Sequence, residues 1–119
     1  MESSNDFGKL GEQKAMEHLL GKGYAVLERN YRYLKAEIDI IARKDDTLAI
    51  VEVKSRNVGF LEDISNAINT KKVKLLTMAA DHYVEENDLD VEVRFDVITV
   101  VQNGNKMEIE HLENAFYHF

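Results

Sequence analysis

Asp39, Glu52 and Lys54 are the residues of this 119-residue chain whose types and spacing could do chemistry together. They sit in two apolar stretches, Ala36–Ala42 and Leu48–Lys54, joined by the polar link Lys44-Asp45-Asp46-Thr47. Two apolar runs with so short a link predict an antiparallel hairpin. With a two- or four-residue loop, Ile41 faces Ile50, Asp39 faces Glu52 and Glu37 faces Lys54, and side-chain alternation puts all six on one face. Directly opposed residues have Cβ atoms about 4.5–5.5 Å apart, so the two carboxylates would stand side by side with Lys54 beside them. A three-residue loop breaks that register. Like charges so placed repel, and one acid must hold its proton more tightly unless a cation lies between them. Oxygen-only ligands suit Mg²⁺ or Mn²⁺, whereas zinc usually brings in histidine or cysteine. A lysine next to such a metal can hold a phosphate oxygen or the attacking water, and metal plus lysine beside a scissile phosphate would make a coherent hydrolytic site. The competing reading places Asp39 and Glu52 at the solvated end of a sheet face, with Lys54 in an ordinary cross-strand ion pair with Glu37.

Glu12 is a fourth candidate. On a helix it shares a face with Ala15, Met16 and Leu19, at offsets of 3, 4 and 7, which is the apolar stripe. An acid there either snorkels to the edge or reaches a partner such as a metal site; alternatively it favours the helix dipole from the first turn. Lys71 and Lys72 intrude on the stripe of a later helix and could contact phosphate, against the reading of a solvated helix face. Arg56 lies on the Lys54 face by parity and could do the same. His18, His82, His111 and His118 have no metal-ligand spacing and read as surface or core-edge residues. With no cysteine there is no disulfide framework, thiolate metal site or cysteine nucleophile.

The elements that must position these residues follow from hydrophobic periodicity. Lys9 to Gly21 predicts a helix, stopped by Gly21 and Gly23. Strands are expected over Tyr24–Tyr33, Ala36–Ala42 and Leu48–Lys54. Glu62 to Glu86 predicts one long helix, or two broken near Asn69-Thr70, with Ile64, Ile68, Leu75 and Ala79 as its stripe. Val91–Val101 has the pattern of a central strand, Asn103-Gly104 signals a hairpin, and Met107–Leu112 is the last strand. The order α-β-β-β-α-β-β gives one mixed sheet with helices packed on it.

Length and composition bound the rest. A chain of this size makes one domain, and 45% apolar with 31% charged residues is ordinary for a globular protein. No apolar run reaches the roughly 18 residues of a membrane helix, and MESSNDFGKL lacks the apolar core of a secretory signal, so a cytoplasmic location is expected. The net charge of -7 argues against broad adhesion to nucleic acid. Yet Arg29 to Lys74 holds ten basic against seven acidic residues, while the remainder holds five against fifteen. Only the middle of the chain can present a basic surface.

Gly11-Glu12 with Ala15 and Leu19, Gly23-Tyr24, Arg29-Asn30-Tyr31-Arg32, Ala36-Glu37-Ile38-Asp39-Ile40-Ile41-Ala42, Val51-Glu52-Val53-Lys54-Ser55-Arg56, Ala67-Ile68 with Lys71 and Lys72, and Arg94-Phe95-Asp96-Val97 form a series that resembles the YraN-like family of bacterial proteins. The resemblance runs from about Phe7 to Val101. Ala36 stands where the family often has glycine, and residues from Gln102 onward match weakly. That family in turn resembles the restriction-endonuclease-like superfamily, whose relatives include archaeal Holliday-junction resolvases. The resemblance implies an α/β fold with an αβββαβ core, a mixed central sheet flanked by helices, and a metal-dependent nuclease acting on DNA. Asp39, Glu52 and Lys54 fall on the nuclease motif, and Glu12 on its helix-borne acid. Asp39, Glu52 and the Val53 carbonyl would then hold Mg²⁺ or Mn²⁺, with Glu12 binding through water and Lys54 orienting the water or stabilising phosphate charge. Arg56, Lys71 and Lys72 would contact the nucleic acid. The alternative is a nucleic-acid-binding or protein-interaction module that keeps the fold without turnover. The aromatic tail Phe116, Tyr117 and Phe119 is expected to pack on its own domain or on a second copy, and a homodimer would supply the two cuts that a four-way junction requires.

Overall fold

The stretch from residue 4 to residue 21 contains no β-branched side chain, and it forms the first helix, α1 (Ser4–Gly21). The computed structural model describes residues 4–57 and 69–115. The helix closes over Gly23, whose φ of 93° lets the Tyr24 N–H return to the Leu19 carbonyl at 3.0 Å. Three strands follow, β1 (Ala25–Tyr33), β2 (Ala36–Lys44) and β3 (Thr47–Asn57). Then come, among the described residues, a helix, α2 (Thr70–Glu86), and the strands β4 (Glu92–Asn103) and β5 (Lys106–Leu112). Chain order and sheet order coincide, β1-β2-β3-β4-β5. All neighbours are antiparallel except β3 and β4, which run parallel because α2 lies in the connection between them.

The sheet is covered on both sides. Ala49 and Val51 pack with Ala15 and Leu19 of α1, while Leu48 and Ile50 pack with Leu76, Ala79, Ala80 and Tyr83 of α2. The period-2 alternation of β3 thus feeds two separate cores. Asn69 caps α2, its Oδ1 accepting from the Lys72 N–H at 2.9 Å, so the break expected near Asn69-Thr70 is a helix start. The expected helical residues 62–68, with Ile64 and Ile68, lie outside the described residues, as do the aromatic tail and His118.

Two local expectations need correction. Lys44↔Thr47 and Ile41↔Ile50 pair as the hairpin arithmetic requires, but the β2–β3 ladder ends at Ile40↔Val51. Asp39 and Glu52 are not backbone partners, nor are Glu37 and Lys54. The reason is a change of face in β2: Ile38 packs on the α2 side and Ile40, two residues on, packs on the α1 side. Strict alternation fails there, so the six residues from Glu37 to Lys54 do not share one face. Where the strands part, the Asp39 side chain fills the gap, its Oδ2 accepting from the Val53 N–H at 2.8 Å.

Candidate active site

Glycine at position 11 sets how closely α1 can lie on the sheet. A Cβ built there would clash with Ser55 Oγ and lie 3.2 Å from Ser55 Cβ, so any larger residue requires the serine side chain or the helix to shift. The next residue, Glu12, is thereby brought to the same concavity as Asp39, Glu52, Val53, Lys54 and Arg56, a space of about 410 Å³ at the end of the sheet where β2 leaves β3. The separation of the strands opens this space, and it lets acids from α1, β2 and β3 face one another.

Glu52 is buried, and a single oxygen of it, Oε1, meets two ammonium groups: Lys72 Nζ at 2.7 Å and Lys54 Nζ at 3.3 Å. Lys54 therefore pairs along its own strand with Glu52, and Glu37 pairs instead with Arg32 at 3.0 Å. The cross-strand Lys54–Glu37 pair does not form. Asp39 is pushed up to about 7, first by burial and then by the Glu52 charge and by Glu12, against the pull of the Val53 N–H. Glu12 is also raised, by burial foremost and by Glu37 and Glu52, with Arg29 opposing. Burial lowers the Lys72 ammonium, but the hydrogen bond and charge of Glu52 outweigh it and raise the group overall. Three acids thus share a pocket in which two of them hold protons more tightly than usual. The donors are all oxygen, which matches a hard divalent cation such as Mg²⁺ or Mn²⁺. The chemistry of the set fits such an ion, although the three carboxylates are not drawn into a tight cluster.

The tight cluster lies elsewhere. Among the described residues, the one trio of His, Asp and Glu ligand atoms mutually within 4.8 Å is Asp96, His111 and Glu113. Its cation place is already taken. Arg94 binds Asp96 through Nε at 2.8 Å and a terminal nitrogen at 2.7 Å, and that terminal nitrogen also meets Glu113 at 3.2 Å and the Tyr24 hydroxyl. His111 Nε2 lies 2.8 Å from Asp96 Oδ2, and the Asn114 N–H donates to Oδ1 at 3.1 Å. Burial would raise Asp96, but the bonds from His111, Arg94 and Asn114 outweigh it and hold the carboxylate below its usual range. We read this as a structural lock, since both oxygens of Asp96 already accept from two donors each, and Arg94 bridges Asp96 to Glu113. His111 lies at the core edge, its side chain only 4% exposed against Asp96. The Arg94-Phe95-Asp96 alternation carried the available signal: an opposite-charge pair two apart on one face of an apolar strand.

The other candidates separate. Lys72 belongs to the pocket through Glu52, whereas Lys71 lines a neighbouring cleft with Lys35 and Lys72. Arg56 lines the pocket, and one of its terminal nitrogens donates to the Ser55 carbonyl at 2.9 Å. The sequence underrated Lys72 because the apolar stripe of α2 runs through Leu76, Ala79, Ala80 and Tyr83, and Lys72 is one turn before Leu76 on that same face.

A single five-stranded mixed sheet with a helix on each face and a carboxylate–lysine pocket at its parting strands defines an α/β protein. The chain belongs to the family described as "Uncharacterised protein family UPF0102", whose model matches residues 11–100; this is the YraN-like family that the motifs resemble. Relatives named UPF0102 protein are 45% identical in Christiangramia forsetii and 47% identical in Flavobacterium psychrophilum, each alignment covering both chains completely. A third, from Parabacteroides distasonis, is 42% identical over 98% of this chain and 97% of its own length. Among the described residues, no helix is long and apolar enough to cross a membrane.

Proposed function

We propose that this protein is a metal-dependent nuclease of the restriction-endonuclease-like superfamily, hydrolysing phosphodiester bonds in DNA, with branched or recombination and repair intermediates as the substrate class. The observation that carries the reading is the shared pocket of Glu12, Asp39, Glu52 and Lys54 at the point where β2 and β3 part. An antiparallel β1-β2-β3 meander after α1, then α2 and a strand parallel to β3, supports the reading, since the resemblance implies an αβββαβ core.

Asp39, Glu52 and the Val53 carbonyl would hold the metal directly, and Glu12 would reach it through water. When bound, a divalent cation would supply positive charge against the phosphoryl oxygens. Lys54 stands beside Glu52 with its ammonium held at 3.3 Å, placed to stabilise charge that develops on the phosphate. Asp39, poised near 7, changes protonation close to neutral pH, so the acid side of its titration opposes cation binding. Arg56 and Lys71 lie at the pocket and the adjoining cleft, where the backbone of a nucleic acid would run.

A cleavage screen over branched, nicked, flapped and single-stranded DNA with Mg²⁺ or Mn²⁺ tests this reading. Cleavage by the full chain is expected, lost in Asp39→Asn and Glu52→Gln. Lys54→Ala should reduce cleavage far more than binding, since its role lies in the transition state. Absence of cleavage on every substrate with both metals would sink the reading. One observation favours a second reading, a non-catalytic nucleic-acid-binding or protein-interaction module: Glu52 already has two internal cations. Binding to branched DNA without any turnover, unchanged in Asp39→Asn, would select it.

A further inference from the structure

Two acid clusters in this molecule carry an internal cation, and the two cations are held differently. Arg94 grips Asp96 at two points and Glu113 at a third. Lys72 meets Glu52 at one oxygen only, and it reaches there from α2 on a flexible four-carbon stem. The Lys72 side chain is 31% exposed and stands between two spaces: its ammonium touches Glu52 in the carboxylate pocket, while the residue also lines a cleft of about 310 Å³ with Lys35 and Lys71. Glu52 Oε1 has Lys54 at 3.3 Å as well. A divalent cation that takes this oxygen meets two ammonium groups, and like charges at such separations repel. One lysine must leave. Lys54 is tied two residues along the same strand, whereas Lys72 has an open cleft to turn into.

We propose that Lys72 is the resident counter-ion of Glu52, that a divalent cation entering the pocket displaces it, and that the released ammonium turns into the Lys35–Lys71 cleft to hold a phosphate of the substrate strand. This rests on the metal-dependent reading above. It makes Lys72 a positioning residue with two stations, one in the empty protein and one in the loaded complex. Metal-free protein keeps Glu52 neutralised and in place, and loading the metal adds a cation to the surface that receives DNA.

The test is calorimetric titration of the full chain with Mn²⁺, using wild type, Lys72→Met, Lys72→Arg and Lys74→Met, with a melt of each to show that it folds; Lys72→Gln replaces Lys72→Met if the latter does not. Removing the competitor in Lys72→Met should tighten metal binding about fivefold, the scale of a partly exposed ion pair. Lys72→Arg should weaken binding, because a guanidinium grips a carboxylate more firmly. Lys74→Met, which removes the same charge from the same helix, should change affinity by less than about twofold. If wild type binds Mn²⁺ and Lys72→Met binds it equally or more weakly, the exchange is wrong and the metal pocket stands. If no variant binds, the metal reading falls and the exchange falls with it. Delivery to phosphate is read from the salt dependence of DNA binding. With metal, the slope for wild type should exceed that for Lys72→Met by about 0.9, one phosphate contact, and without metal the two should agree. Equal slopes with metal would overturn the second station of Lys72.

Discussion

Asp39 and Asp96 are both carboxylates on strands of one small sheet, and their surroundings drive them in opposite directions. Asp39 is raised to about 7 by burial and by Glu52, so the folded protein binds its proton more tightly than the unfolded chain does. Its contribution to stability is therefore greatest in acid and is lost as pH rises from about 4, the unfolded value, towards 7. Asp39→Asn keeps an acceptor for the Val53 N–H and removes the charge. In metal-free buffer at pH 7.5 it should raise stability by roughly 2 kcal/mol, with little change near pH 4, as followed by denaturant melts at both pH values. A loss of stability at pH 7.5 would make Asp39 a structural ion-pair partner. Asp96 runs the other way. Its carboxylate is depressed, so its contribution is present above the unfolded value and lost as pH falls through its folded one. Asp96→Ala strands Arg94 and His111 beside a buried void and should cost about 3–5 kcal/mol in urea unfolding at neutral pH. A cost below about 1 kcal/mol, typical of exposed pairs, would show that the cluster is not a lock.

At the level of elements, the strand and helix order follows from periodicity and turn chemistry, and the register from Ile41↔Ile50 to Lys44↔Thr47 follows from loop length alone. What periodicity could not show is the change of face between Ile38 and Ile40, because Ala36-Glu37-Ile38-Asp39-Ile40 alternates cleanly and so predicts one face for both isoleucines. That change opens the pocket, so the acids were legible as a set while their geometry was not. The Asp96–His111 contact was legible but missed: the turn at Asn103-Gly104 sets Ile98 opposite His111, which puts His111 diagonal to Asp96 on the same face. The approach of α1 to β3 offers a test of how the pocket is built. Gly11→Ala gains helix propensity of about 1 kcal/mol, yet it drives a methyl group into Ser55 Oγ. The net effect should be a loss of about 1–3 kcal/mol. Gly11→Ala combined with Ser55→Ala should recover part of it, because the Oγ clash disappears while the Ser55 Cβ remains 3.2 Å away. Full tolerance of Gly11→Ala in a thermal melt would mean that α1 can ride higher on the sheet without loss.

The whole molecule carries a net charge of -7, and its basic residues concentrate between Arg29 and Lys74. Any affinity for nucleic acid must come from a local patch. Each phosphate contact contributes about -0.9 to the slope of log affinity against log salt on duplex DNA, so three or four contacts from Lys54, Arg56, Lys71 and Lys72 predict a slope of roughly -3. Fluorescence anisotropy on labelled branched DNA across a salt series measures it. A slope near -8 would demand a basic surface that these residues do not supply, and no binding at low salt with metal would move the protein to an interaction role.

The coincidence of chain order and sheet order bears on how the molecule acquires its shape in time. The hairpins β1–β2, β2–β3 and β4–β5 each close a short loop. Only the parallel pairing of β3 with β4 must close a loop that contains α2, and loop closure of that length is the entropic toll on the folding rate. The same closure docks α2 and brings Lys72 to Glu52. Assembly of the pocket should therefore coincide with the slowest step of folding. In stopped-flow refolding, Val97→Ala in β4 should slow folding, whereas Val26→Ala in β1 should mainly speed unfolding. The reverse partition would place the outer meander, not the crossover, in the folding nucleus.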